Sequence, residues 1–150
     1  MRAIIQRVAN ASVFIDSVER NTIGKGLVVL IGIENADNQQ DIEWLCGKII
    51  RLRIFSDEKG LMNLSVQDIK GEILVISQFT LHASTKKGNR PSFIRASKPD
   101  HAEALYIQFL EKIQDEFTGI VKSGEFGALM KIQLVNDGPV TIFIDTKHKE

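Results

Sequence analysis

The apolar run Ile73-Leu74-Val75-Ile76 leads directly into Ser77-Gln78-Phe79-Thr80-Leu81, and the segment beyond carries Lys86, Lys87, Arg90, Arg95 and Lys98. A short apolar run bounded by turn residues reads as a buried strand. The chain must then fold so that a core strand surfaces where hydroxyl and amide side chains meet a positive segment. Such a place suits a site that handles a phosphate-bearing substrate. It equally suits ordinary capping of a strand end, because Ser, Thr and Asn side chains bond readily to local backbone. Residues 86 to 98 hold five basic residues and no acidic one, a pattern shared by phosphate-binding patches and solvated loops.

A second uninterrupted run, Leu27-Val28-Val29-Leu30-Ile31, reads as a central strand. Ala3 to Asp16 reads as another, with Gly24-Lys25-Gly26 marking a turn between the two and antiparallel pairing expected. Asp37 to Leu52 has helical spacing, with Ile42, Leu45, Cys46, Ile49 and Leu52 on one face. Asp37 and Gln40 fit a capping box at its start. Cys46 belongs to the apolar face and reads as a small buried hydrophobe. Trp44 lies off that stripe, at an edge or an interface. Ile54-Phe55 begins a short strand, and Leu61 to Val66 is ambiguous.

Residues 82 to 98 show no period and read as a loop. Pro99 suits the first position of a second helix, which runs to about Phe117 and buries Ala102, Leu105, Phe109, Ile113 and Phe117, with Tyr106 beside them. Ile120 to Lys122, Ala128 to Val135 and Val140 to Asp145 read as closing strands, the last two showing the alternation of half-buried strands. Asn136-Asp137-Gly138-Pro139 between them has the composition of a hairpin turn. The expected fold is α+β in α/β/β layers. Mostly antiparallel strands form two packed sheets or a barrel-like arrangement, with two helices on one side.

At 150 residues, one domain spanning 1–150 is expected. The opening Met1-Arg2-Ala3-Ile4-Ile5-Gln6-Arg7 lacks the form of a signal segment, and no apolar run approaches the roughly 20 residues that span a bilayer. A cytoplasmic protein with no membrane partner is expected. The single cysteine excludes an intramolecular disulfide and a cysteine-cluster metal site. His82, His101 and His148 show no zinc spacing, so neither metal nor cofactor is expected. No Gly-x-Ser-x-Gly elbow or Walker loop occurs. The formal net charge is zero, so nucleic-acid binding would rest on a local patch. His82 sits two residues after Thr80 and would share its face in a strand; it reads either as a general base or as a solvated loop histidine.

Ser77-Gln78-Phe79-Thr80-Leu81 and Asn136-Asp137-Gly138-Pro139-Val140-Thr141 together resemble the signatures of the D-aminoacyl-tRNA deacylases. The likeness extends over the chain, through Met1-Arg2-Ala3 with Gln6-Arg7-Val8, the loop Lys87-Gly88-Asn89-Arg90-Pro91-Ser92-Phe93, and Gly124-Glu125-Phe126-Gly127-Ala128. The resemblance implies a homodimer that hydrolyses the ester between a D-amino acid and the 3′-terminal adenosine of tRNA. It also implies action on glycine mischarged on alanine tRNA. It implies a cis Gly138-Pro139 peptide that reaches into the partner subunit's site, facing Ser77 to Thr80 there.

The residues fit that task. A proofreader that accepts many side chains but one hand should read the α-carbon with rigid backbone. Gly138 allows close approach because it lacks a Cβ. The Gly138 and Pro139 carbonyls are expected to hold the substrate's α-amino group, so that an L side chain collides with them. Glycine has nothing to collide and escapes exclusion. Ser77, Gln78, Phe79 and Thr80 are the expected catalytic residues. Backbone N–H groups near Phe79 and Thr80 form an oxyanion hole, Gln78 orients substrate or water, and Phe79 shapes the adenosine pocket. Thr80 positions and hydrogen-bonds, since no base stands beside it to make it a nucleophile. Lys86, Lys87, Arg90 and Arg95 are expected to meet phosphates of the acceptor end. Two other classes remain: a non-catalytic tRNA- or RNA-binding module using the basic loop, and a dimeric scaffold in which the Gly-Pro segment only mediates assembly.

Overall fold

In the computed structural model, which describes residues 1–149, β1 (Arg2–Ile15) turns back at Asp16-Ser17 into β2 (Val18–Ile23), followed by β3 (Gly26–Gly32). Both turn residues have positive φ, 51° and 64°, the geometry of a tight two-residue hairpin. β2 and β3 pair antiparallel with successive stretches of β1, Ile15 facing Val18 and Arg2 facing Gly32. The expected antiparallel pairing of β1 and β3 is found. The reversal, however, lies at Asp16-Ser17, and Gly24-Lys25 only separates β2 from β3. Gly26 is required there by close approach, since a Cβ would come within 1.9 Å of the Glu72 carbonyl oxygen.

Helix α1 (Gln39–Arg51) is capped one residue later than Asp37. Asn38 Oδ1 accepts the Gln40 N–H at 2.9 Å and Asp41 accepts the Asn38 N–H at 3.0 Å, a reciprocal capping box. Asp37 instead accepts the Glu34 N–H and pairs, fully buried, with the Met1 ammonium. A buried acid with an opposite charge was the competing role that the sequence did not show. The short strands β4 (Phe55–Ser56) and β5 (Met62–Leu64) form a small antiparallel sheet.

β6 (Glu72–Ser77) runs parallel to β3 on one side and to β7 (Val121–Ser123) on the other. The other four pairings are antiparallel, as expected for most of the sheet. Parallel neighbours need long crossovers. Here α1 lies in the crossover from β3 to β6, and α2 (Pro99–Glu116) in the crossover from β6 to β7. That connectivity puts both helices against one face, where they pack on each other.

β8 (Met130–Asp145) is a single strand of 16 residues paired with β1. Two strands joined by a hairpin turn at Asn136–Pro139 were expected, and the structure corrects this. Val8 faces Asn136 and Gln6 faces Thr141, so residues 137–140 bulge out opposite Arg7 within one continuous strand.

One face of the sheet, with Ala3, Ile5, Val29, Ile73 and Val75, packs on Ile42, Leu45 and Ile49 of α1 and on Phe109 and Ile113 of α2. On the opposite face, Val28, Leu74 and Ile76 pack against Val8, Ala11, Val13, Met130 and Ile132. The sheet therefore curls over itself, and the layers are helix, sheet and sheet. Asn21 Nδ2 donates to the Ser123 carbonyl and Lys122 Nζ to the Thr22 carbonyl, each at 2.7 Å, nearly closing a barrel between β2 and β7. Among the described residues no helix is long and apolar enough to cross a membrane.

Candidate active site

β6 is fully apolar and buried from Ile73 to Ile76 and emerges at Ser77, which faces Ile31 of β3. The Gln78 N–H still donates to the Ile31 carbonyl at 2.7 Å. The chain then tightens into a 3-10 turn, Phe79–His82. As its leading residues, Phe79 and Thr80 present N–H groups with no acceptor inside the turn. The Gln78 carboxamide donates to Thr80 Oγ1, so the Thr80 hydroxyl keeps its own proton free to donate, although Thr80 stands beside the cleft walled by Phe79 and does not line it.

Phe79 is 58% exposed despite its size. Its ring meets Phe93 edge-on, with centroids 5.1 Å apart. Together they form one wall of a cleft of about 610 Å³, which Ser77, Gln78, Phe126, Leu129 and Met130 also line. An apolar cleft with a few convergent polar groups is the usual form of a small-molecule site. Phe93 and the 126–130 segment carry no local signal of a role in the cleft, although both lie in or beside the stretches that resemble the deacylases.

His82 is neither a general base nor a solvated loop residue. It ends the 3-10 turn, is 0% exposed, and neither ring nitrogen has a hydrogen-bond partner. Burial pushes its pKa below the ordinary value. Strand periodicity does not apply to a 3-10 turn, so Thr80 and His82 do not share a face. Cys46 is likewise no nucleophile, because burial pushes its thiol up to about 12.

The loop after the turn is pinned by mutual backbone bonds of Ser84 and Ser92, 2.8 and 2.9 Å. It carries Lys86, Lys87 and Arg90 exposed, with no carboxylate partner among the described residues. Arg95 differs, since its guanidinium lies 3.9 Å from the Glu34 carboxylate. At the foot of the turn, Arg2 donates to the Leu81 carbonyl at 3.0 Å and pairs with Asp145 at 2.9 Å.

Gly138 and Pro139 stand on the β8 bulge, their peptide bond cis and Gly138 at φ 126°. Arg7 Nε donates to the Asp137 carbonyl at 2.8 Å, and Arg7 Nη1 to the Ile54 carbonyl at 2.5 Å. This clamp has no signal in the sequence beyond the presence of Arg7 in the Gln6-Arg7-Val8 stretch. One chain does not bring the bulge to the Ser77–Thr80 turn. Ser77 faces Ile31, Ile31 faces Ala3 and Ala3 faces Ile144, whereas the bulge lies four residues further along β1. Strand spacings put the two on the order of 20 Å apart.

The family profile described as D-Tyr-tRNA(Tyr) deacylase matches residues 4–145. The chain is 58% identical to a D-aminoacyl-tRNA deacylase of Flavobacterium johnsoniae and 59% identical to one of Bacteroides fragilis, over 150 residues and the full length of each chain. Among solved structures, "c-Myc DNA Unwinding Element Binding Protein" superposes with a TM-score of 0.92 at 42% identity, covering 97% of this chain and 98% of that one. A probable eukaryotic D-amino acid tRNA deacylase shares the fold, with a TM-score of 0.79 at 19% identity over 95% and 97% of the two chains. With full-length relatives at this identity and a profile spanning nearly every element described above, the chain belongs to the D-Tyr-tRNA(Tyr) deacylase family.

Proposed function

We propose that this chain hydrolyses the ester joining a D-amino acid to the 3′-terminal adenosine of tRNA, in a site completed by a second copy of itself. Family membership supports the reaction. The observation that carries the two-copy site is the separation of two elements, the Ser77–Thr80 turn and the Gly138-Pro139 bulge, in one chain. A homodimer can set each bulge in the other copy's cleft.

Water attacks the ester carbonyl, and the negative charge that develops on its oxygen meets the Phe79 and Thr80 N–H groups. The bond to the ribose 3′-oxygen then breaks. That oxygen takes a proton, and the acid leaves as the free D-amino acid. The substrate's own 2′-hydroxyl assists in activating the water, since no side-chain base stands beside Thr80. Thr80 and Gln78 position substrate and water, Ser77 closes the strand end beneath them, and Phe79 with Phe93 holds the adenine. From the partner, the Gly138 and Pro139 carbonyls accept the α-ammonium group. An L side chain then points into backbone, whereas a D side chain points away. Glycine passes the same test, so glycine mischarged on alanine tRNA is a substrate. Lys86, Lys87, Arg90 and Arg95 meet the acceptor-end phosphates. The setting is chiral proofreading in the cytoplasm, where tRNA is charged.

The test is complementation. A Gly138→Ala variant and a Ser77→Ala/Gln78→Ala/Thr80→Ala variant are assayed on a D-aminoacyl-tRNA separately and after unfolding and refolding together. Random pairing makes half the dimers mixed, each with one intact site, so about a quarter of wild-type activity should return. No recovery in dimers shown by mass to be mixed would reject the shared site. The name of the DNA-unwinding-element relative favours a second reading, a nucleic-acid-binding module without catalysis. That module would bind acylated tRNA without regard to the amino acid's hand and hydrolyse neither form.

A further inference from the structure

Away from the cleft, a second groove of about 460 Å³ opens between α1 and the end of β8. Trp44 forms its wall, and two lysines lean over the indole, Lys48 Nζ at 5.4 Å and Lys149 Nζ at 4.6 Å from the ring centroid. His148 and Arg2 complete a basic rim. The one carboxylate among the described residues that line the groove, Asp145, is already bound to Arg2 at 2.9 Å. Neither Lys48 nor Lys149 meets a carboxylate among the described residues. The groove is thus net positive around a half-buried aromatic face, a combination that matches an anionic chain carrying planar bases.

Arg2 links the groove to the segment that follows the candidate active-site residues. It lines the groove, and the same guanidinium donates to the Leu81 carbonyl at 3.0 Å, at the foot of the turn that carries Gln78 to Thr80. A strand whose terminal adenosine lies against Phe79 can therefore continue past Arg2, whose charge is paired with Asp145, onto Trp44.

We infer that the Trp44 groove binds unpaired nucleotides of the RNA substrate just upstream of its terminal adenosine, one base stacking on the indole and the flanking phosphates meeting Lys48 and Lys149. This rests on the proposed reaction for the identity of the RNA, but the groove can be tested without it.

Trp44 is the only tryptophan in the chain, so tryptophan emission, excited selectively over Tyr106, reports this groove alone. Titration with a short single-stranded RNA ending in adenosine should quench the emission and shift it, more weakly at high salt. The same RNA with abasic upstream positions should bind and quench less. Trp44→Leu should weaken binding of that RNA, measured by a label on the RNA, by about tenfold, the scale of one base–aromatic stack. Lys48→Gln/Lys149→Gln should weaken it and flatten its salt dependence. In turnover, both variants should raise KM for a D-aminoacyl-tRNA and leave kcat unchanged. Hydrolysis of a D-aminoacyl-adenosine, which has no upstream nucleotides, should be untouched.

Saturating RNA binding with no change in Trp44 emission would overturn the inference. So would inorganic polyphosphate quenching as strongly as RNA, which would mark an anion site that reads no base. An emission change that follows protein concentration with no RNA present would make the groove an interface between copies and overturn it too. If the wild type hydrolyses neither substrate, the proposed reaction fails, while the fluorescence titration still decides the groove.

Discussion

The guanidinium of Arg7 occupies the space a β-carbon would need at residue 138: its Nη2 lies 2.6 Å from the ideal Cβ position of Gly138. Gly138 also sits at φ 126°, a conformation essentially closed to other residues. Clash and backbone strain therefore act together. Gly138→Ala should destabilise the folded chain by about 1–3 kcal/mol and remove hydrolysis while tRNA binding persists. Retained hydrolysis with an altered oligomer mass would point instead to a purely scaffolding role for the bulge.

Arg7 ties the bulge to two carbonyls, Asp137 and Ile54. Arg7→Leu keeps an apolar stem but loses both bonds and the salt bridge to Asp137 at 3.6 Å. The bulge should then wander. Misplacement of positioning groups by about 1 Å costs up to about a hundredfold in rate, so single-turnover hydrolysis should fall by about ten- to a hundredfold with far-UV circular dichroism unchanged. An unchanged rate would mean that the bulge is held by other interactions.

Thr80 accepts a bond from Gln78 and has no base beside it. Thr80→Ala should slow hydrolysis by about tenfold, the scale of one missing hydrogen bond, without abolishing it. Complete loss in the variant, together with an acyl-enzyme trapped on the wild type, would make Thr80 a nucleophile and contradict the assignment.

His82 supplies a pH dependence. Burial holds its imidazole below the ordinary value of 6.5; the nearby Gly32 backbone opposes this, Arg2 and the Met1 ammonium push the same way as burial, and Glu34 opposes them. Below pH 6.5 the unfolded chain takes up a proton that the folded chain refuses, so stability falls as pH drops through that window and levels off below the folded pKa. Denaturant midpoints from pH 8 to pH 5 should show this slope, and His82→Leu should flatten it. Because both ring nitrogens lack partners, the variant should lose little stability at pH 8. The same slope in the variant would assign it to other groups.

Neutralising Lys86, Lys87, Arg90 and Arg95 together should weaken tRNA binding and make its salt dependence shallower, by about 0.7 in log–log slope for each single-strand phosphate no longer neutralised. Arg95, partly engaged with Glu34, should contribute least in single substitutions. Unchanged binding in the quadruple Ala variant would move the phosphate-binding surface elsewhere.

Periodicity explains which of these features were legible in the sequence. Leu27–Ile31 and Ile73–Ile76 are runs that only a covered strand can carry, and the stripes on α1 and α2 repeat at helical spacing. β2 was not legible, because Val18-Glu19-Arg20-Asn21-Thr22-Ile23 is polar and owes its strand form to pairing with β1. The bulge was legible only as a turn: Gly and Pro signal a change of direction, and whether the chain reverses or continues is decided by the strand opposite. The Arg7 clamp spans 130 residues of sequence, beyond any local pattern. The end of β6 at Ser77 was legible because polar residues stand where an apolar strand stops, whereas the 3-10 turn that follows was not, and the burial of His82 depends on Gly32 and Arg2 brought against it by the fold.

Chiral selection is tested most directly by single-turnover hydrolysis of D-Tyr-tRNA and L-Tyr-tRNA, side by side, with the purified protein. Rapid loss of the D-ester with the L-ester intact is expected. Loss of both at similar rates would contradict exclusion by the Gly138-Pro139 backbone, and loss of neither, with tRNA still bound, would contradict hydrolysis itself.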